Sequence, residues 1–148
     1  MRFNAVLCGL LLLASITATR SADFLSTADV EKVGAMSGLQ AVAKDPAKGA
    51  GGELNFADGA KKLVLMVMIQ PASTYDFWKK QYGAKGESVA ELGGEAFRSK
   101  AGKFISYVVF RNGDTGAWIQ SMGWKASGAP NFTAAQLTAL AKIAASRL

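Results

Sequence analysis

Residues 58–71 read Asp-Gly-Ala-Lys-Lys-Leu-Val-Leu-Met-Val-Met-Ile-Gln-Pro (DGAKKLVLMVMIQP), and the fold turns on how this stretch is read. Leu63 to Ile69 is apolar throughout, so periodicity alone does not separate a buried strand from a buried helix. The flanks decide. Asp58-Gly59 is a hairpin-turn signal, and Pro71 ends the element. A strand over 61–70 follows, paired with a strand over 53–57. Apolar side chains on both faces mark it as a central strand with cover on each side. Lys61, Lys62 and Pro71 at its ends act as gatekeepers against aggregation.

Downstream, Ser73-Thr74-Tyr75-Asp76 has capping-box spacing and starts a helix that Gly83 stops, with Tyr75, Trp78 and Tyr82 on one face. A Gly-rich passage then carries short strands at 87–92 and 95–98. A strong strand spans Phe104 to Arg111. Asn112-Gly113 turns it into Ala117 to Met122, and a two-residue turn there places Tyr107 opposite Trp118. The last helix is the most plainly signalled. Thr133 and Gln136 form a capping box, Phe132 and Leu137 a hydrophobic staple. Leu137, Leu140, Ala141, Ala144 and Leu148 fall on one buried face.

Upstream, Ser26 caps a helix with Asp29 at its third position, Leu25 and Val30 form the staple, and Gly38 is a natural stop. Residues 44–52 are a loop. The expected fold is α+β, one antiparallel sheet packed with three helices in the order α-β-β-α-β-β-β-β-α. It forms a single compact domain over 23–148.

Residues 1–22 read as a Sec-type signal peptide. Arg2 precedes the apolar run Ala5 to Ala14 (AVLCGLLLLA), and Ser15 to Ala22 turns small and polar. The run is ten residues long, against the roughly 20 that a membrane span needs. Cleavage after Ala18 or Ala22 leaves about 125 residues, enough for one real core. The expected location is periplasmic or secreted, with no stable membrane span after cleavage. Cys8 sits in mid-run with no small-residue region before it, so it is not a lipid-attachment site.

Cys8 is the only cysteine, and the chain has no histidine. The mature domain therefore lacks thiol and imidazole. That excludes the usual zinc sites, Cys or His catalysis, His-ligated haem and disulfides, and no cofactor is expected. The chain carries 17 Lys and Arg against 11 Asp and Glu; removing Arg2 and Arg20 leaves 15 basic residues. This mild excess is scattered (Lys61–Lys62, Lys79–Lys80, Arg98, Lys100, Lys103) rather than gathered into a nucleic-acid stripe. No nucleic-acid partner is expected.

Five constellations bear on chemistry. Glu87, Glu91 and Glu95 beside Gly93-Gly94 are the acids for a carboxylate-based hydrolase; solvated acids on a strand edge give the same pattern. Met66 and Met68, with Met122, have the makings of a soft Cu(I) carrier site; methionine filling core gaps is the ordinary alternative. Ser99-Lys100 is adjacent in sequence, but neighbours on a strand point to opposite faces. Gly-rich 49–53 precedes a strand and lacks the setting of a phosphate loop.

The fifth is aromatic. Trp118 and Trp124 share a strand face with Tyr107 and Met122 if the strand runs on. The smaller residues Ala117, Ile119, Ser121 and Gly123 face the helices, leaving the larger set opposite. Only the loops 44–52 and 125–131 are then at hand to cover it. Trp118, Trp124, Tyr107 and Met122 are accordingly the candidate binding residues for a protein partner, a glycan or a hydrophobic ligand; a second core layer under a loop is the ordinary alternative. No catalytic or metal-ligating residue is assigned. Asn131-Phe132-Thr133 matches a glycosylation sequon, but Thr133 already has a capping role.

The helix start Leu25 to Val33 (LSTADVEKV), the turn Gly93 to Phe97 (GGEAF), the Arg111 to Asp114 turn and the closing Leu137 to Ala141 helix resemble those of small bacterial exported domains of unknown function, some of them lipoproteins. Such domains are similar in fold to the PsbP-like extrinsic proteins of photosystem II. The resemblance covers 25–148. It implies an α+β envelope domain and no catalytic residues. The chain departs from it in lacking a lipobox cysteine. The expected function is that of an exported, non-catalytic envelope domain that binds a partner or ligand.

Overall fold

A computed structural model describes residues 24–44, 52–100 and 105–148. The segment expected to be a signal, with Arg2 and Cys8, residues 45–51 of the expected loop, and Lys103 and Phe104 lie outside the described residues. Three helices, α1 (Thr27–Gly34), α2 (Ala72–Tyr82) and α3 (Ala134–Ala145), pack on one antiparallel sheet. Its strands are β1 (Gln40–Lys44), β2 (Glu53–Ala57), β3 (Leu63–Pro71), β4 (Gly86–Ser88), β5 (Ala96–Ser99), β6 (Tyr107–Asn112) and β7 (Thr115–Ser121). Their spatial order is β1-β2-β3-β7-β6-β5-β4. The α+β class, the single antiparallel sheet, the three helices and their order agree with the sequence reading. The structure adds β1, an edge strand in front of β2.

The stretch that decided the fold is central, β3 lying between β2 and β7. Alternation sends Leu65, Val67 and Ile69 into a core with α1 and α3, and Met66 and Met68 to the opposite face. Phe56 pairs with Leu65 but Ala57 with Leu63, so Val64 is an extra, bulged residue that joins the first core. The turn before β3 is longer than the two residues expected. Asp58 Oδ1 accepts from the N–H of both Ala60 and Lys62 at 2.9 Å, and Lys61 takes a left-handed φ of 62°.

Both capping boxes at the outer helices form. Ser26 and Asp29 close the start of α1; Thr133 and Gln136 close that of α3. Leu137, Leu140, Ala141 and Ala144 are fully buried, whereas Leu148 lies past the helix and is exposed. The two helices are tied to each other at both ends. Gln136 Nε2 donates to Val33 O at 3.1 Å. Arg147 Nη1 donates to Phe24 O at 3.1 Å and to Asp29 Oδ2 at 2.6 Å. Ser121 Oγ accepts the buried Phe132 N–H at 2.9 Å and fixes the entry to α3 on β7.

Three expectations are corrected. The Ser73–Asp76 capping box does not form: α2 starts at Ala72, directly off β3, with Pro71 as its cap and no side-chain cap bond. Residues 90–92 are a 3-10 turn rather than strand. The β6–β7 turn falls on Gly113-Asp114, because Asn112 pairs with Thr115. Tyr107 is therefore opposite Gln120, and Trp118 opposite Val109. A shift of two residues preserves which face each side chain occupies.

Candidate functional site

The second sheet face is covered by α2, not by loops. Tyr75 and Trp78 of α2 pack with Phe97, Val109 and Trp118 into a second core, with Met66, Met68 and Tyr107 at its edge. Gly116 makes the approach feasible: a Cβ there would lie 2.9 Å from Tyr75 Cβ. The expectation that the Trp118 face lacks a helix is thus wrong. Its physical basis failed because the helix that leaves β3 at Pro71 folds straight back over β7 and β6. Trp118 is only 7% exposed. Its indole meets Trp78 edge-on at 5.5 Å and Tyr82 at 5.3 Å, and stacks on Tyr107 at 4.9 Å. Its Nε1–H donates to Gln120 Oε1 at 3.0 Å, so its polar atom is satisfied.

The cover is incomplete. Where α2 ends, the same face emerges as an apolar strip. Tyr82, the last residue of α2, is 40% exposed and touches the Tyr107 ring edge-on at 6.5 Å. Tyr107 itself is half-buried; burial pushes its phenol pKa up, so the hydroxyl stays neutral. Leu63 pairs with Ala57 and so shares the face of Met66; it is 42% exposed. Ile105, two residues before Tyr107, is 52% exposed. Met122 is half-buried, and its Sδ accepts from Gln120 Nε2 at 3.6 Å.

Trp124 lies at this end but off the strand. Gly123 adopts a φ of 68°, and its Cβ position would sit 3.6 Å from Leu63 O. That left-handed step breaks the alternation assumed between Trp118 and Trp124. Trp124 instead forms an isolated bridge with Pro130 and is 59% exposed. Of the four sequence candidates, the structure brings Trp118, Tyr107 and Met122 onto one face, buries Trp118, and sets Trp124 beside them at the end of the sheet. The sequence reading missed Leu63, Tyr82 and Ile105. The sequence reading puts Leu63 in a strand and Tyr82 at the end of a helix; the end of α2 is what uncovers them.

Compared with known proteins, the chain matches no family model, no curated protein and no solved structure.

The carboxylates do not gather. Glu87 lies 3.6 Å from Arg98, Glu91 2.6 Å from Lys142 and Glu95 3.5 Å from Arg111, three separate ion pairs with partners on β5, α3 and β6. The hydrogen bond from Lys142 lowers the Glu91 pKa, the opposite of what a general acid needs. Ser99 Oγ is buried and accepts the Tyr107 N–H at 3.1 Å. Asn131 Nδ2 donates to Met122 O at 2.7 Å. Met66 and Met68 pack against the aromatic layer. Among the described residues, no three of His, Cys, Asp and Glu come together, and no helix is long and apolar enough to cross a membrane.

Proposed function

We propose that this protein is an exported, non-catalytic envelope domain that binds a ligand or partner through the apolar strip beyond α2. The observation that carries the reading is the group Leu63, Tyr82, Ile105 and Trp124, each at least 40% exposed at one end of the sheet. Phe77 and Val42 are exposed singly elsewhere and need no explanation, but four exposed apolar residues gathered at one end of the sheet are the mark of a contact surface. Tyr107 and Met122 form its floor, and Gln120 supplies one amide at its centre. Trp118 supports the floor from beneath instead of touching the ligand. Rigid aromatic side chains suit such a surface because little rotamer freedom is lost on binding. The apolar run Ala5 to Ala14 behind Arg2 supports export.

The test uses a variant with Trp124 as its sole tryptophan, Trp78→Phe with Trp118→Phe, titrated with lauric acid and with soluble peptidoglycan fragments. A saturable change in Trp124 emission is expected with one of them, lost on Ile105→Ser. If neither probe gives a saturable change, the reading falls. Export is tested separately by intact mass, which is expected to place the mature N-terminus between Thr19 and Asp23.

A further inference from the structure

Tyr75, Lys79 and Gly83 lie at i, i+4 and i+8 along α2 and the residue that follows it, so they stand one above another on one side of the helix. They form one wall of a cavity of about 300 Å³ that shares no residue with the strip beyond α2. Ser88 of β4 and Ala96 and Phe97 of β5 form the opposite wall. Tyr75 reaches this space across the sheet. Its Cβ lies against Gly116 of β7, and its ring arrives 6.2 Å from that of Phe97 on β5, two strands away. The hydroxyl, at the far end of the ring, is thereby directed at the cavity. Tyr75 is 1% exposed, and among the described residues nothing hydrogen-bonds this hydroxyl. Buried hydroxyls are normally paired; this one keeps a donor and an acceptor free. Burial and the charges of Glu95 and Asp76 push its pKa up, so it holds its proton. The other free polar groups are donors as well. Lys79 is exposed and forms no ion pair among the described residues, and the Ser88 hydroxyl has no partner among them either. The nearby acids are engaged, since Arg111 lies 3.5 Å from Glu95 and 3.7 Å from Asp76.

We propose that this cavity binds a small single-ring aromatic carboxylate that carries a hydroxyl opposite the acid. The ligand ring packs on Phe97 and Tyr75, whose own rings line the space. The carboxylate meets the Lys79 ammonium and the Ser88 hydroxyl at the rim, and the ligand hydroxyl pairs with that of Tyr75 at the inner end. A space of about 300 Å³ is at the lower limit of ligand sites, which suits one ring and excludes a fatty acid or a glycan chain. The single cation is exposed and contributes little, so the affinity is modest, with a Kd of about 10 µM to 1 mM. The strip beyond α2 and this cavity take their ligands independently.

Calorimetric titration of the purified protein with 4-hydroxybenzoate tests this, and saturable one-to-one binding is expected. Tyr75→Phe deletes only the hydroxyl. It should weaken 4-hydroxybenzoate by about two- to ten-fold and leave benzoate unchanged. Lys79→Gln should weaken both acids by about two- to five-fold and leave 4-hydroxybenzyl alcohol unchanged. Absence of saturable heat up to about 10 mM overturns the proposal and leaves the cavity to water. An equal effect of Tyr75→Phe on 4-hydroxybenzoate and benzoate overturns it too. Should Tyr75→Phe fail to fold, Ser88→Leu on the exposed edge strand carries the test. Its side chain fills the mouth of the cavity, and binding that survives it overturns the assignment. Lauric acid, the probe of the strip, should not displace 4-hydroxybenzoate; displacement would place the binding at the strip and overturn the assignment to the cavity.

Discussion

Gly116→Ala tests the seating of α2 directly. The added methyl carbon would sit 2.9 Å from Tyr75 Cβ, 3.3 Å from Tyr75 N and 3.5 Å from Pro71 O. Carbon atoms in contact rest at about 3.5–4.0 Å, so the entry of α2 must retreat by roughly 0.6 Å or more. It has no easy way to do so. Tyr75 is fully buried against Phe97, and Pro71 joins α2 to β3 without a spare residue. Overpacking of this kind costs about 1–3 kcal/mol, and a backbone neighbour places the value in the upper half. With a urea slope of about 1.5 kcal/mol/M, a loss of about 2 kcal/mol lowers the midpoint by more than about 1 M. Gly83→Ala is the matching control. Gly83 has helical angles (φ −58°, ψ −42°), and its new methyl would meet only Lys79 Cγ at 3.4 Å. It should gain about 0.5–1 kcal/mol by removing freedom from the unfolded chain. Urea unfolding followed by tryptophan emission reads both, because Trp78 and Trp118 report on the same layer. A Gly116→Ala midpoint equal to wild type would show that α2 does not press on β7 as described.

Other outcomes follow from the same packing. Leu140→Ala should cost about 2–5 kcal/mol, whereas Lys142→Ala should cost less than about 1 kcal/mol because its pair with Glu91 is half-exposed; urea titrations compare them. The Arg147 guanidinium and the Ser26 cap hold the Asp29 carboxyl well below the usual range. A depressed carboxylate contributes stability above its unfolded pKa of about 3.9 and loses it as pH falls toward the folded value. Asp29→Asn should therefore be destabilising at pH 7, with the gap to wild type closing below about pH 4 in thermal melts. Acrylamide should quench Trp124 readily in single-tryptophan variants and leave Trp118 protected; equal quenching would contradict the burial of Trp118 under Trp78 and Tyr82.

The parts of the fold that were legible in the sequence are those fixed by local chemistry. Ser26–Asp29 and Thr133–Gln136 are complete within four residues, so no distant contact was needed to read them. The Leu63–Ile69 run was legible because its flanks admit one element. Ser73–Asp76 has the same local pattern, yet Pro71 starts the helix one residue before Ser73 and leaves the box unused. β1 was missed because Gln-Ala-Val-Ala-Lys has weak strand propensity and gains its ladder only from β2. The exposed apolar strip was half legible. Trp124 and Tyr107 could be named, but which indole is covered depends on the path of α2 across the sheet, and no local pattern encodes a tertiary crossing.

The neighbours of β3 govern when the molecule can close. β3 is bonded on one side to β2, which precedes it, and on the other to β7, which lies about fifty positions further along the chain. The β1–β3 meander is thus a separate local unit until β7 is in place, and α1 finds its two ties to α3 only once Gln136 and Arg147 exist. Contacts of such long range slow folding, because the loop must close before any of them repays its entropy. A nascent or threading chain therefore stays open until its last quarter is available. Under the export proposed above, late closure suits a polypeptide that crosses a membrane unfolded, and it is written into strand order instead of local sequence.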